Sequence, residues 1–478
     1  MIDKLHIRSL YLYSILFIVA SAVCIVKEQY WFLALPIAAS LVLLYIYALD
    51  KLMLFILFAT PLAVEYKNPD FQIAFSMPTE PLMFGILLLF IIRLLYEGKI
   101  EKKILRHPVS IALLASLVWT SITCLASSMP LVSFKFLLAR LWFVCTFYFL
   151  GIQLFKNIDN IKKLIWLSVI PMTAVIIYTV VLHSQHGFDE DSAHWVMWPF
   201  YADHTVYGAL LALFIPVVIG LSTTIKTNPF AKVIAWIILF VFLVGLVFSY
   251  TRAAWVSLAA ATGVYVLILL RIKFLTFLLS AVTLIVLFLT FQEQIFMKLE
   301  KNRQDSSNNL TEHVQSISNI SSDASNLERV NRWSCAIRMF KERPILGFGP
   351  GTYMFKYAPY QFSYEKTIIS TNNGDNGNAH SEYIGPLAEQ GILGLIFVLV
   401  LFTTIIITGL RVYNRVENKE ARVYSLVFLL GLITYFVHGI LNNFLDQDKA
   451  SVPFWAFVAA IVAIDIYQTK KLDKTATQ

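Results

Sequence analysis

Arg252 is the only charged side chain between Lys232 and Arg271. A guanidinium at the centre of a spanning helix costs about 2.5–3.5 kcal/mol on insertion scales, so its retention needs a reason. Two readings are open. The head can snorkel to the interface while the stem stays in lipid, or it can face the bundle interior and meet an anion. Further along, LERVNRWSCAIRMFKER (327–343) carries Arg329, Arg332 and Arg338. Arg329 and Arg332 are three apart, share a helix face and could both reach one anion. A guanidinium grips phosphate through a bidentate fork that lysine does not reproduce. The same helix could instead lie on anionic headgroups. His380, in NAHSEY, titrates near neutrality and suits general-base work on a hydroxyl, although a single loop histidine is more often structural. Glu382 and Glu389 stand close enough in sequence to orient an imidazole or bind a cation. The glycines of GFGPG (347–351) do not make a phosphate loop, because no GK[ST] follows.

The elements that must position these groups are membrane spans. Of the 478 residues, 58% are hydrophobic and only 14% charged, with a mean hydropathy of +0.69. A soluble protein carries about a quarter charged residues. Apolar runs of about twenty residues recur along the chain. They predict spans near 9–26, 30–48, 52–65, 80–96, 109–126, 131–155, 161–183, 205–223, 231–249, 253–270, 272–290, 389–410, 422–440 and 451–467. Segment 52–65 is short and contains Pro61, and 253–270 nearly abuts 272–290, so the expectation is twelve to fourteen spans in an all-α polytopic transmembrane bundle.

Alternating sides from a cytoplasmic N-terminus puts twenty-two Lys and Arg in inside segments. Only Lys27, Lys67, Arg252 and Lys449 fall in short outside connections. This positive-inside bias places both termini in the cytoplasm, and it explains the net charge of +8 without a nucleic-acid partner. The first apolar segment mimics a signal peptide, but the many later spans favour an uncleaved helix. Cys24, Cys124 and Cys145 fall in spans and Cys335 outside, with neither a disulfide framework nor metal-ligand spacing. No metal and no cofactor are expected.

Three regions follow: an N-terminal bundle over 1–290, a large outside loop over 291–388, and C-terminal spans with a tail over 389–478. Within the first, 184–204 is an outside segment with four acids and no Lys or Arg, its aromatics suited to the headgroup level. In the loop, Ser/Asn-rich 304–326 is expected to be mobile. Residues 327–343 read as an amphipathic helix with Val330, Trp333, Ile337 and Phe340 on one stripe, capped by Asn326 and closed by Pro344. The stretch 442–455, with Asp446 and Asp448, reads as a polar turn between spans.

TRAAW, then RVNRW…ERPILGFGPGTY, then NAHSEYIGPLAEQGILG, in this order, resemble the O-antigen ligase and polymerase family. The likeness covers about residues 200–410, and the earlier part by span pattern alone. It implies a bacterial inner-membrane glycosyltransferase that needs no metal. Its donor would be a glycan on undecaprenyl pyrophosphate at the periplasmic face, and its acceptor lipid A–core, another glycan or a protein hydroxyl. By position, the family's arginine at the outer end of a span falls on Arg252, its loop arginine on Arg329 with Arg332 as competitor, and its histidine on His380. The resemblance implies that the arginines stabilise the leaving diphosphate while His380 takes the acceptor's proton, inverting the anomeric centre. Arg332, Arg338, Asp203, His204 and Glu389 are expected substrate contacts. A ligase is expected ahead of a polymerase or a protein oligosaccharyltransferase. A transporter fits less well, for want of an internal repeat or matched broken spans.

Overall fold

The computed structural model describes residues 4–29, 35–68, 73–98, 100–225, 228–271, 324–365 and 377–469. The chain divides into two compact units, Met1–Phe55 and Ile56–Gln478. The first contains α1 (Lys4–Val26), α2 (Leu35–Tyr47) and the start of α3 (Leu49–Ala59). The second contains α4 (Thr79–Glu97), α5 (Pro108–Leu125), α6 (Pro130–Leu154), α7 (Ile158–Ser184), α8 (His204–Thr224), α9 (Pro229–Phe248) and α10 (Arg252–Leu269). It continues with α11 (Ala324–Glu342), α12 (Ile384–Arg415), α13 (Lys419–His438) and α14 (Asp448–Tyr467).

Among the described residues, ten helices are long and apolar enough to cross a membrane, or up to eleven if the broken pair Ser40–Tyr47 and Leu49–Leu62 is one span. The protein is therefore an all-α polytopic membrane protein. The expected span at 272–290 and most of the stretch 304–326 lie outside the described residues. One element escaped the sequence: β1 (Val64–Asn68) and β2 (Ile73–Met77) pair antiparallel, with Val64 opposite Met77. Val, Tyr, Ile and Phe suit a pleated strand, and Pro61 sits in the helical turn that ends just before them.

Local chemistry starts the spans where the pattern predicts. Proline opens α5, α6 and α9, where its missing N–H is harmless and its fixed φ suits a helix. Asn157, Asp203, Asn228 and Asn418 cap α7, α8, α9 and α13 through their side chains. Helices apolar all round belong in the interior, and α8, α13 and α14 are indeed mostly buried, whereas α9 and α10 turn more of their surface outward.

The polar groups collect at the two ends of this second unit. At one end Asp465 holds His107 at 3.1 Å and also binds Arg411. At the other gather the hairpin, the turn before α6, the segment between α7 and α8, the turn before α10, α11 with its following loop, and the turn between α13 and α14. Hydrogen bonds tie them together: Ser76 Oγ donates to Asp448 (2.9 Å), the Ser128 N–H to the Phe348 carbonyl (2.9 Å), and the Glu382 N–H to the Gly439 carbonyl (2.8 Å). These are the segments that the charge pattern puts outside.

Candidate functional site

The turn FSYTRAAW joins α9 to α10 and docks on the start of α8. Thr251 Oγ1 donates to the His204 carbonyl at 2.8 Å, and Tyr250, with φ of 49°, donates its hydroxyl to the Phe188 carbonyl at 2.8 Å. The approach is close: a Cβ on Gly208 would stand 2.5 Å from the Thr251 side chain, so no larger residue fits this crossing. Arg252 is the first residue of α10. It is 21% exposed, and its Nη2 lies 3.7 Å from a Glu190 carboxylate oxygen. Its charge also acts on His204. Arg252 therefore faces protein groups at the rim of the bundle, not lipid. Asp203 caps α8, accepting from the Thr205 N–H (2.7 Å) and the Val206 N–H (3.1 Å). The ring of His204 packs on that of His194, with centroids 4.1 Å apart.

The loop helix runs Ala324–Glu342 and so starts ahead of the expected cap Asn326, and its packing decides which face is buried. Val330 and Ile337 are exposed, while Glu328, Asn331, Arg332, Cys335, Ala336 and Met339 are buried. An apolar stripe marks amphipathicity without saying which face meets protein, and here the inner face carries the charge. Arg332 donates from Nε to Glu328 at 2.7 Å and lies over the Tyr357 ring at 4.0 Å from its centroid. Its Nη1 has no hydrogen-bond partner among the described residues, and a Cβ on Gly377 would come within 2.0 Å of it. Arg329, one turn back, acts electrostatically on His204, His380 and His438 alike. Arg338 points elsewhere. It pairs with Glu365, donates to the Tyr360 carbonyl and lies over Phe362, holding the loop after α11 in place.

His380 sits just ahead of α12 in a left-handed backbone conformation, φ 48°, which a non-glycine residue seldom adopts. The Asn378 carboxamide oxygen accepts its N–H at 3.0 Å. Burial, then the charges of Arg329 and Arg332, push its pKa down to about 4 against the opposing pull of Glu328 and Asp203. The imidazole is thus neutral at pH 7 and able to take a proton.

The two glutamates nearby do not orient it. Glu382 accepts from the Tyr435 hydroxyl (2.6 Å) and from the N–H groups of Phe444 (2.9 Å) and Leu445 (3.0 Å), pinning the turn after α13. Glu389 accepts the Tyr353 N–H at 2.9 Å, and its carbonyl accepts the Gly349 N–H at 2.8 Å. GFGPG is thereby strapped to α12 at its break, Gly391 (φ 70°). A Cβ on Gly349 would lie 2.0 Å from Ser127 Oγ. The glycine turn is thus a packing device, with its Phe348 and Gly349 amides spent on α12.

Of the residues that the sequence singled out, Arg252, Arg329, Arg332, His380, Asp203 and His204 share one electrostatic neighbourhood. Arg338 and Glu389 stand apart from it, bound to their own structural partners. His438 was missed: it ends α13, is buried, and approaches the Asn442 carboxamide nitrogen at 3.1 Å through Nε2. A histidine closing a span just before an Asn-Asn pair was the available signal. Glu190, the partner of Arg252, was legible only as one acid in a segment without basic residues. Among the described residues no group of three His, Cys, Asp or Glu side chains could hold a metal ion. Residues 237–399 match the family model described as O-antigen ligase, a stretch that runs from α9 into α12 and includes Arg252, Arg329, Arg332 and His380. No curated protein matches the chain.

Proposed function

We propose that this multi-pass membrane protein, whose residues 237–399 match the O-antigen ligase model, moves a glycan from undecaprenyl pyrophosphate to a hydroxyl of lipid A–core at the periplasmic face of the bacterial inner membrane. The observation that carries this reading is a half-buried imidazole, neutral at pH 7, set among Arg329, Arg332 and Asp203. A base beside anion-binding groups is what transfer from a pyrophosphate requires.

In this reading the acceptor oxygen attacks the anomeric carbon and passes its proton to His380. The bond from that carbon to the pyrophosphate oxygen breaks, and the electron pair leaves on the diphosphate. Arg329 and Arg252 face the charge developing there, where fixed cations in a water-poor site are worth most. Arg332 offers one further N–H, since its Nη1 has no partner among the described residues. Attack opposite the leaving group inverts the anomeric centre. Diphosphate leaves readily, so no general acid is needed. Asp203 and His204 contact the sugars or the acceptor from the start of α8.

The test is the species that accumulates in a deletion strain. Complete glycan on undecaprenyl pyrophosphate supports a ligase, and single repeats would shift the assignment to a polymerase. Normal glycan attachment in a His380→Ala strain would sink the catalytic role of that residue.

A further inference from the structure

At the same end of the second unit lies a cavity of about 430 Å³, inside the roughly 300–1,000 Å³ range of small-molecule sites. Its walls are the β1–β2 hairpin with the start of α4, residues 198–202, and the turn 446–449. Two of these walls lead directly to the cluster described above. Ala202 lines the cavity and is followed by Asp203 and His204. Asp446 lies within electrostatic reach of Glu382, two residues from His380.

The lining has a definite chemistry. Glu65, Glu80, Asp446 and Asp448 supply four carboxylates. Asp448 is committed to the Ser76 and Thr79 hydroxyls, at 2.9 and 2.6 Å. Glu65 stands at the solvent side, and Asp446, reached by solvent on one side, has its pKa pushed up to about 7 by burial and by Glu382. The cation on the wall, Lys449, turns its ammonium to the carbonyls of Thr60 and Ala63, each at 2.6 Å. Trp198, 68% exposed, offers an aromatic face at the mouth. Such a wall, with its lysine already held by backbone carbonyls, offers phosphate little. It suits the hydroxyls of a sugar, which donate to carboxylates in charge-assisted bonds, while the C–H face of a pyranose packs on an indole. An ammonium-bearing sugar would fit equally well.

We propose that this cavity is a glycan subsite, taking an uncharged or amino-bearing sugar segment of a substrate while the pyrophosphate stays with the arginines. The inference rests on the glycosyl-transfer reading, and the sugars could come from the donor or from the acceptor. The experiment uses full-length protein in lipid nanodiscs, with Trp198→Ala, Trp198→Phe, Glu65→Gln and Asp446→Asn. Steady-state transfer should show KM raised about three- to ten-fold by Trp198→Ala, Glu65→Gln and Asp446→Asn, with kcat within about two-fold, as loss of a hydrogen bond or ring contact implies. A rise confined to the donor's KM assigns the cavity to donor sugars, and one confined to the acceptor's KM to acceptor sugars. Trp198→Phe, which keeps an aromatic face, should bind as the parent does.

A second arm titrates the free oligosaccharide released by mild acid from the lipid-linked donor, followed by saturation-transfer NMR. Binding to the parent protein that is lost in Trp198→Ala and Glu65→Gln supports the subsite even if no transfer occurs, in which case the ligase reading alone fails. Unchanged KM for both substrates with unchanged oligosaccharide binding overturns the subsite and leaves that reading standing. Equal binding of glucose 1-phosphate overturns the charge argument.

Discussion

Replacing Arg332 by glutamine tests the electrostatics around His380. Burial and the charges of Arg329 and Arg332 hold this imidazole at about 4, where an unperturbed histidine titrates near 6.5. At about 1.36 kcal/mol per pKa unit, the gap amounts to about 3 kcal/mol against the imidazolium. Between those two pH values the unfolded chain holds the proton and the folded one does not. Stability from this group therefore falls as pH drops from about 6.5 toward about 4, and it is unaffected above that window. For catalysis, the acid limb of kcat/KM should lie near pH 4. Burial is the larger cause and survives the substitution. Arg332→Gln removes one repelling charge, together with the guanidinium that pairs with Glu328 at 2.7 Å, so the limb should rise by on the order of one pH unit. Arg332→Lys, which keeps the charge, should leave it low. Bound pyrophosphate adds negative charge beside the same ring, so the kcat limb should lie above that of kcat/KM. Transfer of a radiolabelled lipid-linked glycan, at limiting and at saturating donor between pH 3 and 8, reads all of this. A parent limb near pH 6.5, or one that Arg332→Gln does not move, refutes the reasoning.

Arg329→Ala and Arg252→Ala should each lower kcat by about 10²–10³-fold, as loss of one oxyanion-stabilising group does, with membrane insertion unchanged by protease mapping. Arg252→Lys should recover only part of the rate, since an ammonium lacks the bidentate fork. Arg338→Ala should behave oppositely. Its partners are Glu365 and the Tyr360 carbonyl, so the thermal midpoint in detergent should fall while transfer at low temperature persists. Gly208→Val should abolish folded protein, because a Cβ there meets Thr251 at 2.5 Å, and fluorescence-detected size exclusion would show it. Treatment with EDTA should leave the transfer rate unchanged.

Much of this protein is written in local rules. Apolar length dictates the spans, Asp203 and Asn228 announce helix starts through their short acceptors, and Arg252 stands at a span end because Ser-Tyr-Thr interrupts the run before it. The order of three motifs points to the O-antigen ligase model that residues 237–399 match. Those rules reach over a turn or two of helix, and what they cannot see is which distant partner a charge will meet. Glu382 could have served His380 two residues away, yet it binds Tyr435, Phe444 and Leu445, because the α13–α14 turn folds back over it. Arg332 and Arg338 look alike in sequence, but six residues of α-helix, at 100° each, put them on different faces. One face meets Glu328 and Tyr357, the other Glu365. The same holds for the loop helix itself, whose Val330 and Ile337 lie exposed while Glu328, Asn331 and Arg332 are buried. Sequence alone determined that this chain spans a membrane many times and carries arginines and a histidine at one of its faces. Only the packing of α8, α11 and α13 decided which of them share a neighbourhood, since burial and long-range charge, not spacing along the chain, bring Arg329 to His204, His380 and His438 together.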